Sequence, residues 1–478
     1  MTIPPLFWLF LTLLSPLAGA LTAWFASKAW AGPVACVAAL ATFVGTLALL
    51  VTSAQGTWFG WLGLDSLSDV FLVLVASIYA TSTIYSAGYL RDVHEPFLTE
   101  HTYYALLGAF AFAMLFAVSV TDLGLMWIGI EATTVTSALL IVLERKRSSV
   151  EAAWRYTLIA SAGLTLALLA LLVLYENAGT LNMFTLASHP PPFSLAVALV
   201  VGLALVGYGT KVGIFPMHTW LPDAHSEAPA PVSALFSGVL LPTALYAFLR
   251  VYAIVPGGGP LGLHSLIIAF GLATALVGAL LLQHQRSYKR LMAYSSMENM
   301  GLAVVGIGIG GVALYGALLL VFAHAFAKSS AFYCSGNVLR KTGTTQMSGL
   351  RDLRHRFPYT SWAWILAALA VTGAPPFGTF IAEVVILVGA LAFGQPVVAV
   401  LVILAILLAF LGVNHQIGTM VFEEAPAGEA PGPRDDSFGG AAVALVNVGV
   451  ALALGLFSIP YLAPALRSAA TILGGRLP

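Results

Sequence analysis

The stretch GYGTKVGIFPMHTWLPDAH, residues 207–225, places a lysine, two histidines and two prolines at the end of a long apolar segment. That segment starts near residue 194 and predicts a membrane-spanning helix, because about 20 apolar residues cross the hydrocarbon core of a bilayer. Pro216 and Pro222 interrupt it, since a proline lacks a backbone N–H and clashes with the preceding turn. Inside a bilayer the freed carbonyl groups must meet protein or water, so the broken helix indicates a hydrated interior.

The composition of the whole chain agrees with a membrane protein. Of 478 residues, 8% are charged and 59% are apolar, whereas about 25% are charged in a soluble domain. Disorder is excluded because it needs low hydrophobicity and high net charge. Nucleic acid is not expected as a partner, because 20 Lys and Arg residues are balanced by 20 Asp and Glu residues. We therefore predict an all-α polytopic membrane protein.

Continuous apolar runs predict about 14 membrane spans. An outer-membrane barrel is excluded because the runs do not alternate between polar and apolar residues. The predicted spans cover residues 5–26, 32–53, 65–90, 102–120, 122–143, 153–175, 194–214, 229–255, 264–283, 290–310, 312–338, 361–393, 396–422 and 441–460.

A second predicted break, at Pro375, Pro376 and Gly378, interrupts span 12. Span 7 is the fourth of spans 4–8, and span 12 is the fourth of spans 9–13. Matching breaks in two halves indicate internal repeats, and the odd number of helices in each makes the second repeat inverted. The predicted parts are N-terminal helices 1–3 (1–100), a first repeat (101–255), a second repeat (264–422), an acidic loop (423–440), and a final helix with a short tail (441–478).

Basic residues are distributed unevenly between the predicted loops. Of the 20 Lys and Arg residues, 15 fall on the side of the loops after odd-numbered spans, among them Arg145. Only Arg250, Arg467 and Arg476 fall on the other side. Because cytoplasmic loops carry the excess of Lys and Arg, the odd-loop side is predicted to be cytoplasmic and both termini to be outside.

The ionisable residues predicted at membrane depth are few. Each costs at least about 2.5–3.5 kcal/mol at the centre of a span, so each is a candidate functional residue. Because Glu, Lys and His side chains exchange protons when burial and pairing adjust their proton affinity, the set suits a proton wire along the membrane midplane. Its members are Glu131 in span 5, Lys211 in span 7, His218 and His225 after the first break, His324 and Lys328 on one face of span 11, and Glu383 in span 12.

Structural alternatives stand beside these assignments. Glu131 and Lys211 could form a static ion pair that fixes helix packing, and His324 taken alone could be a core histidine. His415, near the cytoplasmic end of span 13, suits a structural role as well as a role in proton uptake. No metal site or cofactor site is predicted in the chain.

Three further readings concern residues near the predicted membrane surfaces. His218 and His225 are seven residues apart across a turn, which does not give the spacing of a metal-binding helix. Asp65 and Asp69, at the outer start of span 3, are expected to be solvated. The acidic, Pro- and Gly-rich loop 423–437 is expected to be a flexible linker.

Two longer motifs resemble a known family. The run KVGIFPMHTWLPDAHSEAPAPVSALFSG, residues 211–238, resembles the signature of the antiporter-like subunits of respiratory complex I, group 4 membrane-bound nickel–iron hydrogenases and multi-subunit cation/proton antiporters. KRLMAYSSMENMG, residues 289–301, is similar to the second signature. Within this run the sequence Glu298-Asn299-Met300 is most similar to the hydrogenase-4 component F branch, as is the run IGIEATTVTSALL at residues 128–140.

The resemblance implies 14 helices with two inverted five-helix repeats. It also implies a proton-translocating subunit of a membrane-bound redox complex, of the hydrogenase-4, formate hydrogenlyase or complex I type, in a bacterial or archaeal cytoplasmic membrane. The chain itself would hold no redox centre; iron–sulfur, nickel–iron or flavin groups would lie in partner subunits. The implied partners are other antiporter-like and small membrane subunits, a peripheral hydrogenase or dehydrogenase arm, and lipid.

The resemblance further implies residue roles. Glu131 and Lys211 match the Glu–Lys pair of the input half-channel, His324 and Lys328 match positions that connect the halves, and Glu383 matches the terminal residue. Glu298 and His415 are predicted accessory or proton-uptake residues. Pro242 is a departure, because the segment Leu-Leu-Pro242 replaces a central lysine of some relatives. The bridge to His324 would then rely on water, His218 or His225, and a non-conducting scaffold that docks the redox arm is the alternative function.

Overall fold

The computed structural model describes residues 4–93, 97–144, 146–254, 261–424, 433–434, 438–457 and 459–474. Within these residues the chain forms twenty α-helices and one short β-hairpin, which confirms the predicted all-α class. Arg145, Arg476 and most of the predicted linker 423–437 lie outside the described residues.

The N-terminal part consists of three long helices and a hairpin. Helix α3 is buried almost throughout its length, as expected for a helix at the centre of a bundle. The bounds are α1 Pro5–Phe25, α2 Lys28–Thr52, β1 Gly56–Trp58, β2 Leu62–Leu64 and α3 Ser66–Tyr89.

The next part contains the first break, which follows α8 at Gly213–Pro216, and a second irregular segment further along. Between α10 and α11 the chain forms a π-helical segment, Phe236–Leu240, which ends two residues before Pro242. The stretch from α10 to α11 is fully buried, so it passes through the interior of the bundle. The bounds are α4 Glu100–Ser119, α5 Leu123–Ile141, α6 Arg147–Ala178, α7 Met183–Ser188, α8 Leu195–Val212, α9 Trp220–Glu227, α10 Ala230–Leu235 and α11 Leu241–Tyr252.

The last part contains the second break, between α16 and α17. The long helix α14 packs against α13, α16, α17 and α19, and most of its residues are buried. The bounds are α12 Leu261–Leu281, α13 Tyr288–Ile309, α14 Gly311–Thr342, α15 Leu353–Arg356, α16 Pro358–Val371, α17 Gly378–Ala392, α18 Pro396–Phe422, α19 Phe438–Leu456 and α20 Leu462–Ile472.

Twelve segments of the described residues are long and apolar enough to cross a membrane. The shorter apolar helices α16 and α17 lie where span 12 was predicted. The 22-residue helix α13 is not among the twelve, since Glu298 and Asn299 lie near its middle. The count of 14 spans and the inverted repeat stay predictions.

The two breaks have the same local form. Gly213 and Gly373 both have positive φ, +85° and +67°, a conformation that glycine adopts without steric cost. Each is followed three residues later by a proline, Pro216 and Pro376, and the bond before that proline is cis. Pro222 does not interrupt the chain but lies in the first turn of α9, where no N–H donor is needed.

Two expectations about the predicted outer end were wrong or incomplete. Asp65 and Asp69 are not solvated: Asp69 is 3% exposed, and Asp65 forms a two-pronged ion pair with Arg250 of α11, with both N···O distances 2.6 Å. The predicted tail contains the helix α20, which packs against α3. Because α20 covers the start of α3, the two aspartates lie inside the bundle.

Candidate functional site

Lys211 lies in the last turn of α8 and is fully buried. Its Nζ donates hydrogen bonds to the carbonyl of Ile130 at 2.8 Å and to Oγ1 of Thr134 at 2.5 Å, both on α5. Glu131 belongs to the same turn of α5, but its Oε1 accepts a hydrogen bond from Ser161 of α6 at 2.7 Å. The lysine and the glutamate are therefore neighbours that attract each other electrostatically without forming a direct ion pair.

The first break is held by side chains rather than left open. The indole N–H of Trp220 donates to the carbonyl of Thr210 at 2.8 Å, and the backbone N–H of Phe215 donates to Oγ1 of Thr274 at 3.0 Å. These bonds satisfy backbone groups that the helix would otherwise have satisfied, as the interior of a membrane requires. His218, on the short turn after Pro216, stacks on Phe215 with ring centres 5.8 Å apart.

Aromatic rings separate Lys211 from the next ionisable group. The ring of Tyr156 lies 5.9 Å from Nζ of Lys211, and it packs against Trp220 at 4.7 Å and Phe236 at 5.9 Å. Beyond Phe236 lies His225, which is fully buried. Tyr156 also carries a polar atom, and its hydroxyl lies 2.9 Å from Oγ of Ser137.

His225 is placed by α9 among aromatic side chains. Its ring stacks on Phe332 with centres 5.4 Å apart, and neither ring nitrogen has a hydrogen-bond partner among the described residues. Lys328 and Lys289 are close enough to act on it electrostatically. A buried polar group without a protein partner usually bonds to water, so this position suits a hydrated link between the two halves.

The π-helical segment contributes the next polar contact. Oγ of Ser237 lies 2.7 Å from Oγ of Ser296 on α13 and 3.5 Å from Nε2 of His324 on α14. His324 is fully buried, and its Nδ1 has no hydrogen-bond partner among the described residues. Segments of π-helix often occur at functional sites, and here the segment lies two residues before Pro242.

Lys328 lies one turn after His324 on α14 and is fully buried. Its Nζ donates to the carbonyl of Met292 at 2.6 Å and also to Oγ of Ser295, both on α13. This arrangement repeats that of Lys211, because each ammonium group bonds to one carbonyl and one hydroxyl of a neighbouring helix. Neither lysine is neutralised by a direct carboxylate contact in the part of the chain that the structure describes.

Two carboxylates complete the row of buried ionisable residues, which runs from Lys211 through His225 and His324 to Lys328. Glu298 of α13 is 2% exposed, accepts a hydrogen bond from Asn299 at 2.7 Å, and interacts electrostatically with Glu383 and Lys328. Glu383 of α17 is 4% exposed. Its carboxylate packs against Gly373 so closely that a Cβ at Gly373 would overlap it. The second break is thereby in direct contact with an ionisable group.

Two cavities lie at the predicted cytoplasmic end. One, of ≈ 400 Å³, is lined by Glu144, Glu227 and Lys289, among others. The other, of ≈ 510 Å³, is lined by His415, which is exposed at the surface. His415 therefore lies at the surface rather than among the buried ionisable residues. Lys289 is buried, and its Nζ donates to the carbonyl of Ala228 at 2.5 Å. It lies between the first cavity and the buried ionisable residues.

Sequence reasoning missed Lys289, Ser237 and Asn299 as members of the site. Lys289 directly precedes the predicted span 290–310 and was therefore one of the 15 cations assigned to the odd-loop side, yet it is 1% exposed. Its presence in the run KRLMAYSSMENMG was the available signal. Ser237 likewise lies in the quoted run 211–238, but its contacts depend on the π-helical segment, which the sequence did not predict.

The fold and the site define an antiporter-like, multi-span membrane protein. The family model described as NADH:quinone oxidoreductase/Mrp antiporter, TM, matches residues 120–409, and the chain belongs to this family. It is 35% identical over 370 residues to a hydrogenase-4 component F homolog of Methylacidiphilum infernorum, covering 73% of this chain and 76% of the relative. It is 33% identical over 395 residues to the NADH-quinone oxidoreductase subunit N of Desulforudis audaxviator, covering 78% and 77%.

Solved structures share the fold. A chain of the Mrp complex from Dietzia sp. superposes with a TM-score of 0.87 at 21% identity, covering 98% of both chains. A chain of respiratory complex I from Thermus thermophilus superposes with a TM-score of 0.84 at 23% identity, covering 98% of this chain and 100% of that one.

Proposed function

We propose that this chain translocates protons as an antiporter-like subunit of a membrane-bound redox complex of the hydrogenase-4 or complex I type. Redox chemistry in partner subunits, which would also hold the cofactors, drives the transfer. The complex would lie in the cytoplasmic membrane of a bacterium or archaeon, with both termini of this chain outside. The names of the relatives support the type of complex, and the distribution of Lys and Arg supports the orientation.

One observation carries the proposal: a row of buried ionisable side chains without direct ion pairs. Burying a charge is costly unless it is paired, and ionisable residues within membrane spans commonly mark ion or proton pathways. Among the described residues, none of the following forms a direct ion pair with another member: Lys211, His225, His324, Lys328, Glu298 and Glu383.

The contacts suggest the order of transfer. Glu131 and Lys211 exchange a proton at the first break, and water beside Tyr156 and His225 carries it past the aromatic rings. Ser237 and His324 then pass it towards Lys328. Because like charges repel and opposite charges attract, loading one group changes the proton affinity of the next.

The two carboxylates at the second break receive the proton from Lys328. Glu298 and Glu383 act on each other electrostatically, so a proton that reaches one carboxylate changes the proton affinity of the other. Lys289 and the cavity it lines provide a route from the predicted cytoplasmic side towards His225. His415 serves at most as a surface group for proton uptake, since it is exposed.

The test is Lys211→Met in the intact complex, because methionine keeps the length of the side chain but cannot be protonated. The matched control is Lys28→Met, which changes the same residue type at a position 79% exposed and outside the row. We expect Lys211→Met to lower proton translocation at least about tenfold, a barrier increase of ~1.4 kcal/mol, with Lys28→Met unchanged. Translocation is followed by fluorescence quenching of a pH-sensitive dye in inverted membrane vesicles, with redox turnover measured in parallel.

The alternative function, a non-conducting scaffold, predicts the opposite result. Pro242 in place of a lysine favours it, but the hydroxyl of Ser237 supplies a polar contact five residues earlier. If the assembled Lys211→Met complex pumps as many protons per turnover as the wild type, the scaffold function is correct and the row does not conduct.

A further inference from the structure

Asp69 is a buried carboxyl group that the row of ionisable residues does not include. It lies in the first turns of α3 and is 3% exposed. Its Oδ1 has no hydrogen-bond partner among the described residues. A buried polar atom without a protein partner requires an explanation, and water is the usual one.

A cavity of ≈ 560 Å³ supplies the space for that water. Asp69, Gln55, Ser66 and Ser468 give it polar groups at the predicted outer end of the bundle, between α2, α3 and α20. Ser66 accepts a hydrogen bond from Gln55 at 2.8 Å, and its hydroxyl donates to Ser468 at 2.8 Å. Ser66 is thereby engaged by its two neighbours, whereas Asp69 lines the same cavity with an Oδ1 that has no partner among the described residues.

The charged groups around Asp69 do not neutralise it. Asp65, one turn earlier, accepts hydrogen bonds from Nη1 and Nη2 of Arg250 on α11. Arg467 belongs to α20, the third element packed against this cavity. In the described part of the chain neither arginine forms an ion pair with Asp69, so its carboxyl group is available to bind and release a proton.

The ridge on α3 that starts at Asp69 carries polar residues further along, beyond Val73. Ser77 and Thr81 follow Asp69 at eight and twelve residues along α3, on the i+4 row that forms a ridge on a helix. Thr81 lies 3.1 Å from the hydroxyl of Tyr333 and accepts from Asn447 at 3.4 Å. Asn447 also donates, at 2.7 Å, to Oγ of Ser329, the residue after Lys328.

We infer that Asp69 is an outer proton-release group of this chain, an inference that rests on the proposed function. In each cycle the O–H bond of the neutral carboxyl breaks and the proton passes to water in the cavity. The carboxylate then regains a proton from the hydroxyl ridge. About 12 Å of helix separates Asp69 from Ser77, so the inference requires water between these two side chains.

The first experiment compares three variants of the intact complex in the dye-quenching assay. Asp69→Asn keeps the shape of the side chain but cannot be deprotonated, and we expect at least a tenfold loss of proton translocation. Asp69→Glu restores an ionisable group and should retain at least half of the wild-type rate. Lys28→Met, the exposed control used for Lys211→Met, lies outside this cavity and should pump normally. Normal pumping by Asp69→Asn would overturn the inference.

The second experiment does not depend on pumping. In intact cells, Asp69→Cys should react with a membrane-impermeant thiosulfonate reagent applied from outside. The wild type is the control, because Cys334 is buried and Cys36 lines a cavity at the opposite end. Failure of Asp69→Cys to react would overturn the inference. If Lys211→Met abolishes pumping while Asp69→Asn pumps normally, only the inference fails and the proposed function stands.

Discussion

Gly373 holds the second break against Glu383, and Gly373→Ala is the sharpest perturbation of that contact. The residue has φ +67°, and the left-handed conformation costs a side-chain-bearing residue about 1–2 kcal/mol. A Cβ at this position would also overlap the carboxylate of Glu383. Relieving such overpacking typically costs a further 1–3 kcal/mol or so, so the expected loss of stability is about 2–5 kcal/mol.

Gly394 offers a matched control at the other end of α17. Its φ is +68°, but nothing lies within 4 Å of a Cβ built there. Gly394→Ala therefore carries only the backbone cost of about 1–2 kcal/mol. The difference between the two variants isolates the displacement of Glu383 from the cost of the backbone conformation.

Two assays separate the effects. Thermal unfolding of the purified complex should show a larger loss for Gly373→Ala than for Gly394→Ala. Proton translocation per redox turnover should fall only in Gly373→Ala, because only that change moves an ionisable group. Equal losses of stability and equal pumping in the two variants would refute the reasoning that Gly373 positions Glu383.

Two further predictions concern buried polar contacts. Burial alone would raise the pKa of Asp65, but the ion pair with Arg250 outweighs burial and holds the pKa below its ordinary value of 3.8. The pair therefore stabilises the fold above pH 3.8. This stabilisation is lost as the pH falls through the lower pKa of the folded state. Asp65→Asn should lower the stability of the fold by about 3 kcal/mol at neutral pH. In thermal unfolding, the difference in melting temperature between the variant and the wild type should narrow below pH 3.8. A difference that stays constant with pH would contradict a stabilising ion pair. Ser237→Ala removes the hydroxyl that contacts both Ser296 and His324; it should lower the stability by only about 1 kcal/mol while slowing translocation, whereas Ser237→Thr should pump normally. Equal pumping by both variants would exclude a role for the hydroxyl.

The fold class and the positions of both breaks could be predicted from the sequence, because apolar length and proline chemistry act locally. Pro216 and the pair Pro375-Pro376 each end a helix where expected. Pro222 could not be placed in the same way, since a proline is tolerated in the first turn of a helix. Whether a proline breaks a helix or begins one depends on where the preceding helix stops.

The residues of the site could be predicted by type, but their contacts could not. A lysine at membrane depth must find polar partners, yet the sequence does not say which ones: Lys211 bonds to the carbonyl of Ile130 rather than to Glu131. Asp69 was read as solvated because its position at the start of a span suggested an interface. The helix α20 that covers it was not predicted, and burial is decided by such distant contacts.

The two breaks place opposite charges at opposite ends of half-helices. Lys211 lies in the last turn of α8, where the helix dipole favours a cation. Glu383 lies in the second turn of α17, and because helical side chains point back towards the N-terminus, its carboxylate reaches Gly373 at the end where the dipole favours an anion. The sign of each charge thus suits its helix end, so reversing either charge would add an unfavourable dipole interaction to the loss of a proton carrier. Neutral replacements of similar shape, such as methionine for lysine and glutamine for glutamate, separate these two effects.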